Sequence, residues 1–403
     1  MNEGGGRPRG RVTAWLVAGT IVYFGVLVAA LSLWGEYDEG RFRAIGANWF
    51  GAGAEAAWPD GTAGLARHFA TWDAQHYLYL SQAGYGPGVK SNAFYPLWPL
   101  AIGWGTALTG WDGVVVGMVL ANGCALGAWV LFHGIAARRF GREVGDLGLV
   151  LLLVFPGSLF QRFVYSEGLF LLLLMGLWNG LERRRYGWAG LAALLLPMTR
   201  GVGVFCVLPV LWHWGVRVRE VGLRGLGWRS AATGLGLVLG PVAGWGVYLV
   251  LMGAWTGNPL AGMEAQRHWG AHAVGNLWDV VKFLEGFLSP TSWHDFRGSM
   301  LDRLMFLLVL VALPAIRRLG WDMVVWTYVL AVIPAMSGTF VSFTRFAGCA
   351  FPVFLGLAWL LSRIGSRDGR LRWGVVGVVG VVGVFATLHG VLVWRFVNFR
   401  WAG

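Results

Sequence analysis

The sequence predicts an all-α polytopic membrane protein, and three observations carry the prediction. First, 56% of the 403 residues are hydrophobic, 15% aromatic and only 13% charged, with 25 Trp, a make-up foreign to soluble domains. Second, apolar runs long enough to cross a hydrocarbon layer of ~30 Å recur along the chain, and within lipid a helix satisfies the backbone polar groups of each run locally. Third, Arg residues cluster in short stretches between those runs, the pattern that marks cytoplasmic ends. A net charge of +12 would suggest a nucleic-acid partner in a soluble domain, but charge placed between apolar runs reads as topology, so no nucleic acid is expected. Cys124, Cys206 and Cys349 each lie inside apolar segments, where cysteine acts as a small hydrophobe, and no disulfide framework follows.

The elements can be placed in order. Residues 12–34 form a first span, too long for a secretory h-region and without a cleavage site. The Arg clusters at 7–11, 138–142, 183–185, 217–229, 317–318 and 363–372 belong on the cytoplasmic face. Residues 35–113 are then an extracytoplasmic loop, and a span from about 114 to 137 returns. Between them "FYPLWPLAIGWGTAL" cannot cross completely; Pro96 and Pro99 interrupt it and its Trp and Tyr favour the interface, so it is read as an interfacial or re-entrant helix. Two short passes between Arg142 and Arg183 meet at an outer turn, "FPGSLFQRFVYSEGLF", and "PMTRGVG" sits at the deep end of a second short pair between Arg185 and Arg217. Residues 253–300 form an outer loop, and "SGTFVSFTR" lies in another. The total is roughly 11 spans with the C-terminus outside, in one domain over residues 1–403, with residues 114–395 supplying the spans after the first loop. "WGVVGVVGVVGVF", residues 373–385, carries Gly at every third position, which drifts around a helix and suits a lipid-facing final span.

Ionisable groups near lipid cost ~2.5–3.5 kcal/mol at a helix centre, so each invites a functional reading. The threading brings four such sets to the outer side: Asp73 with Gln75 and His76; Tyr165, Ser166 and Glu167; Arg200; and Arg345. Each has a plainer reading. Asp73 could cap a helix or belong to a structural ion pair, Glu167 could favour a helix N-terminus, and Arg345 could snorkel. Two histidines, His268 and His272, stand at a spacing that could hold a metal on a helix, but no third ligand is near and no metal is expected. There is no Asp-x-Asp pair, which weakens any use of a soluble nucleotide sugar.

The segment "WDAQHYLYLSQAGYG" followed by "NAFYPLWPL" resembles the signature of the PIG-V family of mannosyltransferases. "FPGSLFQRFVYSEGLFLLL" resembles that family's second block, and "MTRGVGV" and "FTRFAGCAFPVF" resemble its later Arg-centred blocks, so the resemblance runs over about residues 10–360. Tyr95 stands where the family often has a second Phe. The resemblance implies a C-type glycosyltransferase fold with interfacial helices in the first outer loop. It also implies an inverting transfer of a hexose, mannose in this family, from a polyprenyl-phosphate carrier to an acceptor hydroxyl.

Such a reaction needs a base for the acceptor's proton, and Asp73 is the candidate. Arg200 and Arg345 would stabilise the departing lipid phosphate. Glu167 and Tyr165 would hold sugar hydroxyls or orient an Arg, while Trp72, Gln75, His76, Tyr77 and Phe94 would line the donor or sugar site. No cofactor is expected beyond the lipid-linked donor. The partners are the bilayer, that donor and an acceptor glycan, glycolipid or protein. The expected location is a bacterial plasma membrane with the site facing outside. A multi-span transporter of a lipid or glycolipid is the alternative, since charges within the membrane and broken helices also mark transport paths.

Overall fold

The structure is a computed structural model that describes residues 7–42, 64–222, 225, 227–270, 272–364 and 371–403. Parts of the first loop and of the basic clusters near residues 224 and 365–370 lie outside the described residues. All regular structure among the described residues is helical. A first helix, α1 (Arg7–Trp34), is followed by a 3₁₀ turn at Gly64–Phe69 and two shorter helices, α2 (Asp73–Ala83) and α3 (Leu97–Thr109). At ~1.5 Å per residue α3 is about 20 Å long, too short to cross a bilayer; Pro96 precedes it and Pro99 lies in its first turn, so the prolines begin the helix and do not interrupt it.

Four helices then form the middle of the bundle: α4 (Gly113–Phe140), α5 (Arg142–Val154), α6 (Glu167–Glu182) and α7 (Tyr186–Thr199). They are followed by α8 (Val207–Val221), α9 (Trp228–Thr256), a short α10 (Ala261–Ala265), α11 (Val280–Leu288) and α12 (Met300–Leu319). Next, α13 (Trp321–Thr327) runs through a π-helical stretch, Tyr328–Val332, into α14 (Ile333–Gly338). The chain ends with α15 (Phe343–Ala347), α16 (Phe351–Ile364) and α17 (Leu371–Val397).

Among the described residues, six helical segments are long and apolar enough to cross a membrane: 10–34, 113–140, 201–221, 228–256, 321–338 and 375–397. The chain is an integral, multi-pass membrane protein. The remaining passes are short, as expected where helices break. α5 and α6 meet at the turn 155–166, and α7 stops at Thr199, where Arg200 leaves the helix in an extended conformation. Shorter apolar helices, among them α7 and α16, pack between the long ones.

The two ends of the bundle differ in chemistry. At one end Arg139 of α4 pairs with Glu182 of α6 at 2.5 Å and with Asp322 of α13 at 2.6 Å, while Arg184 reaches Glu220 of α8 at 3.6 Å. These contacts gather the Arg-rich ends on one face, as the charge pattern required. Between the ends, α4 packs on α5 and α6, α7 on α6 and α9, and α16 on α5 and α12. Trp129, Phe132, Trp178 and Phe351 are fully buried among them. The final helix exposes Val375, Val376 and Val379, in keeping with a lipid-facing span. His389 ties it inward through Tyr23 Oη at 3.2 Å and Ser158 Oγ at 3.3 Å.

Candidate active site

At the end opposite the Arg-rich face, four broken elements converge. Asp73 is the first residue of α2, and Trp72 before it holds φ at 55°, a left-handed value that costs a non-glycine residue ~1–3 kcal/mol. The Asp73 N–H donates to Tyr165 Oη at 3.1 Å, which anchors the helix start to the turn between α5 and α6. Glu167 opens α6 from that turn, and Arg200 closes α7. Arg345 lies in α15, after a turn in which Thr339, Phe340 and Ser342 all have positive φ.

These residues form one charge cluster. Arg345 engages Asp73 Oδ2 through Nη1 and Glu167 Oε1 through Nε, and Arg200 pairs with the same Glu167 oxygen. Two carboxylates face two guanidinium groups, so the charge balances. The Glu167 side chain is 1% exposed and the Asp73 side chain 13%. Burial of this kind is tolerable only because every charge is paired, and removing one member would strand another. Aromatic faces complete the enclosure: Arg345 lies over Tyr165 at 4.6 Å and Arg200 over Phe346 at 4.5 Å.

A cavity of about 930 Å³ opens in front of the cluster, within the ~300–1,000 Å³ common for ligand sites. Asp73, Tyr77, Arg200 and Arg345 line it, whereas Glu167 and Tyr165 stand behind them. The loop between α9 and α12 supplies further walls, including Arg267, His272 and Lys282. Neither Arg267 nor Lys282 has an ion-pair partner among the described residues; Lys282 Nζ donates to Asn276 Oδ1 at 2.9 Å. Burial, then Arg200 and Arg345, hold the His272 imidazole down to about 4. Burial pushes the Tyr77 hydroxyl up to about 12.

Besides Glu167 and Tyr165, three more of the sequence candidates do not line this cavity. Gln75 is fully buried on the far side of α2. His76 is also buried, hydrogen-bonded to Ser91 Oγ at 2.6 Å and stacked on Phe94 at 4.5 Å. One turn of helix separates Asp73 from His76 and Tyr77, and only Tyr77 shares the cavity face. Trp72 faces a separate recess and donates from Nε1 to Arg400 O at 3.1 Å. His268 and His272 do not share a helix, because His268 ends a 3₁₀ turn and Gly270 follows with φ of 58°. Among the described residues no three His, Cys, Asp or Glu side chains cluster as a metal set would.

Sequence reasoning missed Asp302. This fully buried carboxylate in the first turn of α12 accepts the Thr344 N–H at 2.7 Å, one residue before Arg345. The signal was present: Ser299-x-x-Asp302 ahead of an apolar run has the form of a capping box, and Ser299 Oγ accepts the Asp302 N–H at 3.2 Å. A close approach fixes the same segment from the other side. A Cβ at Gly157 would overlap the Thr344 carbonyl oxygen, so glycine there lets the 155–166 turn lie against α15.

No family model matches the chain. It is similar to GPI alpha-1,6-mannosyltransferase 2 of Rattus norvegicus, 32% identical over 32% of this chain and 28% of that protein. The Mus musculus protein of the same name is 31% identical over 34% of this chain and 29% of its own length. The match thus spans less than a third of these curated relatives, and it bears out the resemblance to PIG-V-like mannosyltransferases. A solved structure of ArnT from Cupriavidus metallidurans bound to undecaprenyl phosphate is similar at 14% identity with a TM-score of 0.48, covering 89% of this chain and 76% of that one.

Proposed function

We propose that the chain is an inverting glycosyltransferase of the C type, which moves a hexose, mannose by likeness to its relatives, from a polyprenyl phosphate to an acceptor hydroxyl. One observation carries the reading: of the two carboxylates in the charge cluster, Asp73 is the one that reaches the cavity. The mannosyltransferase relatives favour it over a lipid transporter.

In this mechanism Arg345 holds Asp73 by Oδ2 and leaves Oδ1 for the acceptor. The acceptor oxygen attacks the anomeric carbon from the face opposite the phosphate and gives its proton to Asp73, while the carbon–oxygen bond to the lipid phosphate breaks. The products are a glycoside with inverted configuration and a free lipid phosphate. As Asp73 becomes neutral, the Arg345 charge loses half of its compensation just as negative charge grows on the leaving group. Arg200 and Arg345 start fully paired, so Arg267 and Lys282, the unpaired cations of the wall, are the first ligands of the donor phosphate.

The Arg-rich ends face the cytoplasm and the cavity faces the outer side of a bacterial plasma membrane, where the acceptor is a glycan, glycolipid or protein. The mechanism assigns no task to a metal ion. Purified protein in liposomes supplied with labelled polyprenyl-phosphate mannose and no nucleotide sugar tests the reading. Chelator-resistant label in a glycoside product supports it; transfer that requires a nucleotide sugar as direct donor refutes it.

A further inference from the structure

The outer loop between α9 and α12 contains a helix with an unpartnered face. In α11 the side chains of Val281, Leu284 and Leu288 fall at one helical position after another, and they are 66%, 50% and 75% exposed. Trp278, just before the helix, is 77% exposed. The adjacent face is firmly packed: Phe283 lies 4.8 Å and Phe287 5.6 Å from the Phe340 ring, and both touch Phe306. A water-facing loop helix has no reason to present three large aliphatic side chains and an indole on one side.

Continuity identifies what covers them. Arg303 Nε donates to Gly286 O at 2.9 Å and to Phe287 O at 3.2 Å, so α11 lies against the first turn of α12. The outward stripe of α12, Met300, Leu304, Leu307 and Val311, is 41%, 49%, 40% and 62% exposed and faces lipid in a multi-pass bundle. α11 therefore sits beside the start of that stripe's helix, at the bundle's site end. We propose that α11 is embedded in the lipid leaflet on the side of the cavity, with Val281, Leu284 and Leu288 among the acyl chains and Trp278 at the headgroups.

The embedding is coupled to the site. Asn276 Nδ2 donates to Ser337 O at 2.7 Å and Ala273 N–H to the same oxygen at 3.0 Å, so the loop bearing α11 is tied to the end of α14, from which the chain turns at 339–342 into the helix of Arg345. Lys282, on the cavity side of α11, stands at leaflet depth. A phosphate-bearing lipid can therefore meet the cavity wall without leaving its leaflet. The surface assignment does not depend on the transfer reaction.

Nitroxide labels on single added cysteines at Leu284, Leu288 and Glu285, in the full chain reconstituted in phospholipid vesicles, test it. The native cysteines stay, and the unmodified chain serves as the blank. Labels at 284 and 288 are expected to relax several-fold faster with oxygen than with a water-soluble nickel chelate, and the label at 285 to show the reverse ratio. Equal chelate access at 284 and 285 would place the face in water and overturn the proposal. Exclusion of both reagents at 284 would show a protein cover, from a second copy or another subunit, and overturn it as well.

Discussion

The guanidinium of Arg345 joins Asp73 and Glu167, carboxylates 272 and 178 residues away in sequence, through two different nitrogens. A planar fork holds both carboxylates in one fixed geometry; an ammonium offers a single nitrogen and no such fork. Arg345→Lys keeps the charge but loses one of the two contacts. Transfer is expected to fall about 10²–10³-fold, the usual loss when one preorganised electrostatic contact is removed. Rate measurements at saturating donor, with folding checked by thermal melting in detergent, decide this; a rate within threefold of wild type would show that the bridge is dispensable.

Asp302 acts on the same element from behind. Asp302→Ala leaves the Thr344 N–H without its acceptor in a buried site, at a cost of about 1–3 kcal/mol. Asp302→Asn retains an oxygen and is expected to recover most of the lost melting temperature and most of the transfer. If alanine and asparagine behave alike, the hydrogen bond to Thr344 is not what matters.

Gly157→Ala tests the close approach on the other side of α15. The added methyl must push away the Thr344 carbonyl, and overpacking of this kind costs ~1–3 kcal/mol. Because Arg345 follows Thr344 directly, the turnover rate is expected to drop more than the apparent donor affinity does. A loss in stability with unchanged turnover would separate this contact from the site.

His76 gives the fold a pH dependence. Burial, aided by Lys90, holds its imidazole down to about 3, against an ordinary value near 6.5. The unfolded chain then binds more protons than the folded one between those values, so stability is full above pH 6.5 and is lost as pH falls toward 3. Melting temperatures across that range should decline less steeply for His76→Gln than for wild type. Parallel curves would mean that the histidine does not contribute.

Much of the architecture was legible because lipid imposes strict rules. Apolar lengths marked the long helices, while the prolines near α3 proved to begin it and not to break it. The charged residues of the site were visible because each is expensive where it stands: Asp73, Glu167, Arg200 and Arg345 meet in one cluster. Their partnership was not readable. Periodicity reports which face a residue occupies within its own helix, and it says nothing of a contact across 272 positions. Gln75 and His76 illustrate the limit, since nearness to Asp73 in sequence put them on the buried side of α2. Lys282 and Arg267 escaped notice because a cation in a stretch read from sequence as a loop carries no apparent cost and so gives no signal.

Asp73 is the proposed base that takes the acceptor's proton. The direct measurement is the single-turnover transfer rate of Asp73→Asn with polyprenyl-phosphate mannose prebound in liposomes. The amide keeps the side chain's size but cannot take the proton. The rate is expected to fall by about 10²–10⁴, roughly 3–5 kcal/mol of barrier, with melting temperature and donor binding retained. A folded Asp73→Asn protein that transfers sugar at near wild-type rate would contradict the claim and leave Asp73 as a structural partner of Arg345.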